Sequence, residues 1–184
     1  MNRKDVYITA NPTPNPESLK FIIDRQIVDG EPITLSSSAE AQGSPLAEKL
    51  FALGHIDHLF AFQNFITITK TAGTVVWQDF ARQIGQTIRE HIQSGDPHFN
   101  VEQEAESTSS DPKIRLIKEV LDEIRPSVAM DGGNIVFAGF QDGIVQVFMQ
   151  GACSGCPSST ITLKAGIEQR LRQVLPDIKG VVAI

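Results

Sequence analysis

The sequence predicts an α+β protein: two small α+β domains joined by an acidic flexible linker. Three observations predict it. The chain has 184 residues, 41% of them hydrophobic, which is enough for two modest cores. Stretches with the strand period of two alternate with stretches at the helical period. Between two such groups, residues 94–112 read SGDPHFNVEQEAESTSSDP, with Asp96, Glu102, Glu104, Glu106 and Asp111, no Lys or Arg and few large apolar groups, a linker composition. Lys plus Arg against Asp plus Glu is 8 against 10 over residues 1–95, 0 against 5 over 96–112 and 8 against 7 over 113–184, so most of the net charge of −6 lies in the linker. The expected boundaries are 1–95 for the first domain, 96–112 for the linker and 113–184 for the second domain.

In the first domain, Val6-Tyr7-Ile8-Thr9 and Leu19-Lys20-Phe21-Ile22-Ile23 read as strands on either side of a proline-rich stretch, and Ile33-Thr34-Leu35 as a third. Pro45 to Leu53 reads as a short helix, with proline near its first turn and Gly54 at its end. Asn64 to Thr69 alternates as a strand. From Trp77, the positions Phe80, Ala81, Ile84, Ile88 and Ile92 recur at three and four, the spacing of an amphipathic helix.

The second domain opens with Ile114, Ile117, Leu121 and Ile124 at helical spacing, a pattern that Pro126 is expected to interrupt. Two strands follow, Asn134 to Phe140 and Ile144 to Gln150, joined by the turn Gln141-Asp142-Gly143. Pro157 suits a first helical position, and Thr160, Leu163, Ile167, Leu171 and Val174 form an apolar stripe behind it. Pro176 ends that helix, and Ile178 to Ile184 reads as a last strand. The order is helix, strand, strand, helix, strand.

Composition narrows the function. A net charge of −6 and a pI near 5.2 argue against a nucleic-acid partner, which calls for a basic surface. No apolar run approaches the roughly 20 residues that span a bilayer, and the first residues lack the apolar stretch of a secretory signal, so no membrane partner is expected. With two cysteines a secreted disulfide framework is improbable. A cytoplasmic, bacterial-type location follows as the expectation, with the reservation that a processed organellar protein would have shed its leader.

Both cysteines lie in one window, Cys153-Ser154-Gly155-Cys156-Pro157-Ser158. If Pro157 opens a helix, Cys156 stands next to the N-cap, where unpaired N–H groups and the positive end of the helix dipole favour a thiolate or an anionic cluster. Gly151 and Gly155 let the loop bend so that both sulfurs face one way. Four readings compete. Structural zinc needs four ligands, and His55, His58, His91 and His98 all lie before or within the linker. A thioredoxin-like pair belongs in a βαβ pattern rather than after a hairpin. Inert core thiols match poorly with a loop of glycine and serine. An iron-sulfur cluster usually takes four thiolates, so a chain with two must share the cluster with a second copy or hold it weakly, and both suit a carrier.

Met130-Asp131-Gly132-Gly133, a hairpin, then Gln150-Gly151-Ala152-Cys153-Ser154-Gly155-Cys156-Pro157-Ser158-Ser159 strongly resembles the C-terminal domain of the NifU-like family, the Nfu-type iron-sulfur carriers. The first domain is similar to the N-terminal domain of the same proteins through Pro12-Thr13-Pro14-Asn15-Pro16, Ser18-Leu19-Lys20-Phe21 and Phe65-Ile66-Thr67-Ile68-Thr69-Lys70. The resemblance implies a scaffold or carrier that receives a 4Fe-4S cluster, with 2Fe-2S as the alternative. It implies Cys153 and Cys156 of two subunits as the metal ligands of one bridging cluster, a homodimer when loaded, an upstream assembly scaffold as donor and apo iron-sulfur proteins as clients. No Ser/His/Asp set, phosphate loop or paired-carboxylate motif suggests an enzyme. The rivals are a thiol-disulfide oxidoreductase with Cys153 as nucleophile, and a zinc-bridged interaction module.

The remaining motif residues read as structural. Gly132 and Gly133 supply a tight or left-handed backbone before the hairpin, and Asp131 caps or closes that turn through its side chain. The stretch Thr13-Pro14-Asn15-Pro16 reads as a stiffened loop rather than a client-docking strip. Trp77 reads as core, and the histidines as incidental, with His98 an adventitious metal binder.

Overall fold

The computed structural model describes residues 5–99, 111–153 and 157–184. They form two units, one within Met1–Gln103 and the other within Glu104–Ile184, each with its own sheet and buried core. The middle of the expected linker lies outside the described residues. Its first members belong to the first unit: the Leu46 N–H donates to the His98 carbonyl at 3.2 Å, and Phe99 packs against that unit's core.

The first unit runs β1 (Ile8–Pro12), β2 (Ser18–Ile23), β3 (Ile33–Leu35), α1 (Pro45–Phe51), β4 (Ile56–Phe62), β5 (Phe65–Lys70) and α2 (Trp77–Ser94). Its strands form one antiparallel sheet in the order β1-β2-β5-β4-β3. Ile66 stands opposite Phe21 and Ile68 opposite Leu19, so the two central strands turn one apolar face to the core. Onto it α2 brings Phe80, Ile84, Ile88 and Ile92, all buried at the expected spacing, before ending at a left-handed Gly95.

The sequence reading misses β4, whose hairpin to β5 turns on Gln63, a residue at φ +48°. That is an uncommon place for a side chain. The N–H groups of Ile27 and Val28 donate to the Gln63 carbonyl at 2.7 and 3.0 Å, so bonds from a distant loop hold the turn. The proline-rich stretch is an ordered turn. The Thr13 hydroxyl donates to the Asn15 carbonyl at 2.9 Å, and the Asn15 side chain accepts from the Glu17 N–H at 3.0 Å. Trp77 packs against the core and donates its indole N–H to the Pro16 carbonyl at 2.9 Å.

The second unit runs α3 (Pro112–Met130), β6 (Gly133–Gln141), β7 (Ile144–Gly151), α4 (Pro157–Val174) and β8 (Gly180–Ala183), the expected order. Asp111 caps α3, accepting from the Lys113 N–H at 2.8 Å, with Pro112 in the first turn. The expected break at Pro126 does not occur. The apolar stripe Ile117, Val120, Leu121 and Val128 is buried across the proline, and this burial outweighs the backbone hydrogen bond that proline removes. β6 and β7 pair antiparallel around Asp142 (φ +54°) and Gly143 (φ +84°), the two positive φ values of a type I′ hairpin turn. β8 joins β7 in parallel after the α4 crossover. Ile135, Val145, Val147, Ile167, Leu171 and Val181 are buried between this sheet and the helices.

Candidate functional site

The strand register carries the two segments singled out in the sequence to one end of the second sheet. Gly133 pairs with Gly151, so the Met130-Asp131-Gly132-Gly133 segment and the start of the cysteine loop lie side by side, opposite the end turned by Asp142 and Gly143. α3 closes with the Asp131 N–H on the Val128 carbonyl at 3.1 Å and the Gly132 N–H on the Ala129 carbonyl at 3.0 Å. Gly132 takes φ +81°, the left-handed conformation expected of it. Its carbonyl then accepts the Ala152 N–H at 3.1 Å, tying the end of α3 to the residue before Cys153. Gly151, at φ +67°, lets the chain leave β7 toward this tie. Asp131 is exposed and contributes through its backbone, where the sequence suggested its side chain.

Cys153 is 5% exposed and packs into the core of the second unit. This differs from the surface placement that a glycine- and serine-rich loop suggests. The physical reason is Gly133: with no side chain there, the Cys153 side chain fills the space beside the start of β6. Gly133 itself is outside the left-handed region, so its role is room rather than backbone freedom. The Thr160 hydroxyl of α4 donates to the Cys153 carbonyl at 3.3 Å, joining the loop to the helix that begins at Pro157. Cys156, with Ser154 and Gly155, falls outside the described residues. Of the two expected ligands, one is therefore located.

The sequence gives no sign of a role for Asn134, and it places Thr160 in the apolar stripe of α4, where the structure uses its hydroxyl on the Cys153 carbonyl. The Asn134 Nδ2 donates to Gln150 Oε1 at 3.1 Å across β6 and β7, and the residue is 2% exposed, next to Gly133. An isolated asparagine at a strand start gives no signal of such pairing.

Two of the histidines pack together in the first unit. His91 is 1% exposed, with Nδ1 3.1 Å from Lys49 Nζ and its ring 5.3 Å from that of His98. Burial pushes both imidazoles below their ordinary range, and the positive charge of Lys49 lowers His91 further. Among the described residues no three metal-binding side chains converge, and no helix is long and apolar enough to cross a membrane.

Comparison with known proteins agrees with this division of the chain. The family model described as the NifU-like domain matches residues 117–182, and the one described as the scaffold protein Nfu/NifU N terminal matches residues 8–95. The human protein named "NFU1 iron-sulfur cluster scaffold homolog, mitochondrial" is 40% identical over 180 residues, which cover 96% of this chain and 71% of that protein. "NifU-like protein 5, mitochondrial" of Arabidopsis thaliana is 37% identical over 188 residues, covering 97% and 68%. The Drosophila sechellia protein with the same name as the human one is 37% identical over 185 residues, covering 97% and 65%.

These names correct the expected cytoplasmic location. Each of these relatives is named mitochondrial, which overturns that expectation. A low cysteine count fits a protein of any reducing compartment, so it does not single out the cytoplasm.

Proposed function

We propose, from the premise that this chain belongs to the Nfu-type, NifU-like family of iron-sulfur cluster scaffold proteins, that it carries a 4Fe-4S cluster bridged between two copies and passes it to apo-proteins. Cys153 and Cys156 of each copy supply the four thiolates. The observation that carries this reading is that both cysteines of the chain fall in the short stretch between Gly151, the end of β7, and Pro157, the start of α4. The first-turn N–H groups of that helix favour the negative charge of thiolates and cluster alike.

The cluster is cargo. Transfer proceeds by ligand exchange: a client thiol binds an iron as the bond from that iron to Cys153 or Cys156 breaks, and the client's proton passes to the departing thiolate. No electron is gained or lost. Two ligands from each copy make the release divisible into small steps, and parting of the copies dissolves the site, so retention rises with dimer concentration. The first unit, attached through residues 100–110, raises the local concentration of a client that it binds.

Anaerobic reconstitution with iron and sulfide tests the reading, with visible spectrum, iron content and solution mass measured together. The expected product is a brown dimer with about two irons and two sulfides per chain, as four thiolates around four irons require. Cys153→Ser and Cys156→Ser should each lose the cluster while both units stay folded. A full cluster on Cys153→Ser overturns the ligand assignment. A colourless monomer cycling between dithiol and disulfide favours the oxidoreductase instead.

A further inference from the structure

Gly133 begins β6 with a φ that any residue adopts, so the backbone there does not require glycine. A Cβ at this position would stand 2.9 Å from the Gln150 carbonyl oxygen and 3.2 Å from Cys153 Cβ, and nearer still to Cys153 Sγ. Unbonded carbon-centred contacts settle near 3.5–4.0 Å, so a methyl group at 133 and the sulfur cannot both keep their places. Gly139, further along the same strand, makes the contrast. A Cβ there would meet Gln146 Oε1 at 3.1 Å, the end of a flexible side chain that can turn away.

We propose that Gly133 is a positioning residue for Cys153: the room left by its missing side chain is the niche that holds the Cys153 sulfur out of solvent. The functional meaning rests on the reading of Cys153 as a cluster ligand. The sulfur then meets iron, a client or an oxidant only when Cys153 leaves the edge of β6. A chain whose two thiols lie three positions apart is thereby shielded from closing a disulfide.

The test is thiol labelling of the reduced, cluster-free full chain carrying Cys156→Ser, so that Cys153 is its one thiol, with an aromatic disulfide reagent. Native Cys153 should react at least about tenfold more slowly than in the same chain unfolded in urea, because attack depends on thiolate access. Adding Gly133→Ala should raise the native rate severalfold, and adding Gly139→Ala should leave it unchanged. Labelling as fast in the native chain as in urea, or a native rate that Gly133→Ala does not move, overturns the niche. Should Gly133→Ala abolish the folded second unit, the ratio of native to urea rates in the parent decides alone. Failure here is separable from failure of the carrier reading. Fast labelling of a chain that loads its cluster normally removes only the niche, and a full cluster on Cys153→Ser removes only the ligand assignment.

Discussion

Replacing Gly132 by alanine tests the turn that joins α3 to the cysteine loop. Gly132 is buried at φ +81°, with its N–H on the Ala129 carbonyl at 3.0 Å and its carbonyl on the Ala152 N–H at 3.1 Å. An alanine that keeps this left-handed backbone costs about 1–2 kcal/mol. One that flips to an ordinary φ gives up both hydrogen bonds, each worth about 1 kcal/mol net, so flipping brings no relief. Either route takes about 1–2 kcal/mol from the second unit. In a domain of this size that lowers Tm by about 4–8 °C for each kcal/mol. The assay is differential scanning calorimetry of the reduced, cluster-free chain, in which the transition of the second unit should move and that of the first should not. Gly143→Ala is the reference, because Gly143 holds φ +84° at the opposite end of the same hairpin. It should destabilise at least as much, since a Cβ there also meets the Asp177 carbonyl at 3.2 Å. After reconstitution, Gly132→Ala should retain less iron than Gly143→Ala at equal stability. A Gly132→Ala chain that melts with its parent refutes the argument that this turn depends on a left-handed glycine.

Three further outcomes are expected. Ile167→Ala, which empties a fully buried site in the second core, should cost about 2–5 kcal/mol in urea unfolding of that unit and leave the first unchanged. Pro126→Ala should stabilise the second unit by about 1–3 kcal/mol, because α3 already runs through this position and alanine restores the missing N–H; a loss of stability would show that α3 needs the proline. His91 and His98 titrate below the ordinary 6.5 because burial disfavours their charge, so the unfolded chain binds more protons as pH falls below that value. The first unit should therefore keep its full stability above about pH 6.5 and lose it as pH falls through the lowered values, with His91→Gln flattening the profile seen in thermal melts.

Periodicity carried most of the fold into the sequence. Phe80, Ile84, Ile88 and Ile92 are buried as their spacing requires, as are Ile167 and Leu171, whereas Val174, expected in the same stripe, is exposed; Asp142-Gly143 turns the second hairpin as that dipeptide predicts. Where local signals misled, long-range packing had overruled them. Pro126 argues for a break in α3, but Val128 beyond it is buried in the core. The turn after β4 has no glycine at its positive-φ position, where Gln63 is held by the N–H groups of Ile27 and Val28.

The amino-acid sequence by itself determined the two α+β units, the helix that starts at Pro157 and the placing of both cysteines in one loop. These follow from patterns within a few residues of one another, which is the range over which propensity and spacing act. Tertiary structure alone decided the rest of the site. Only the pairing of β6 with β7 brings Gly133 against Cys153 and sets the Gly132 carbonyl on the Ala152 N–H. Residues about 20 apart in the chain meet there through strand register, and the space a missing side chain leaves is visible only when the neighbour that fills it is in place.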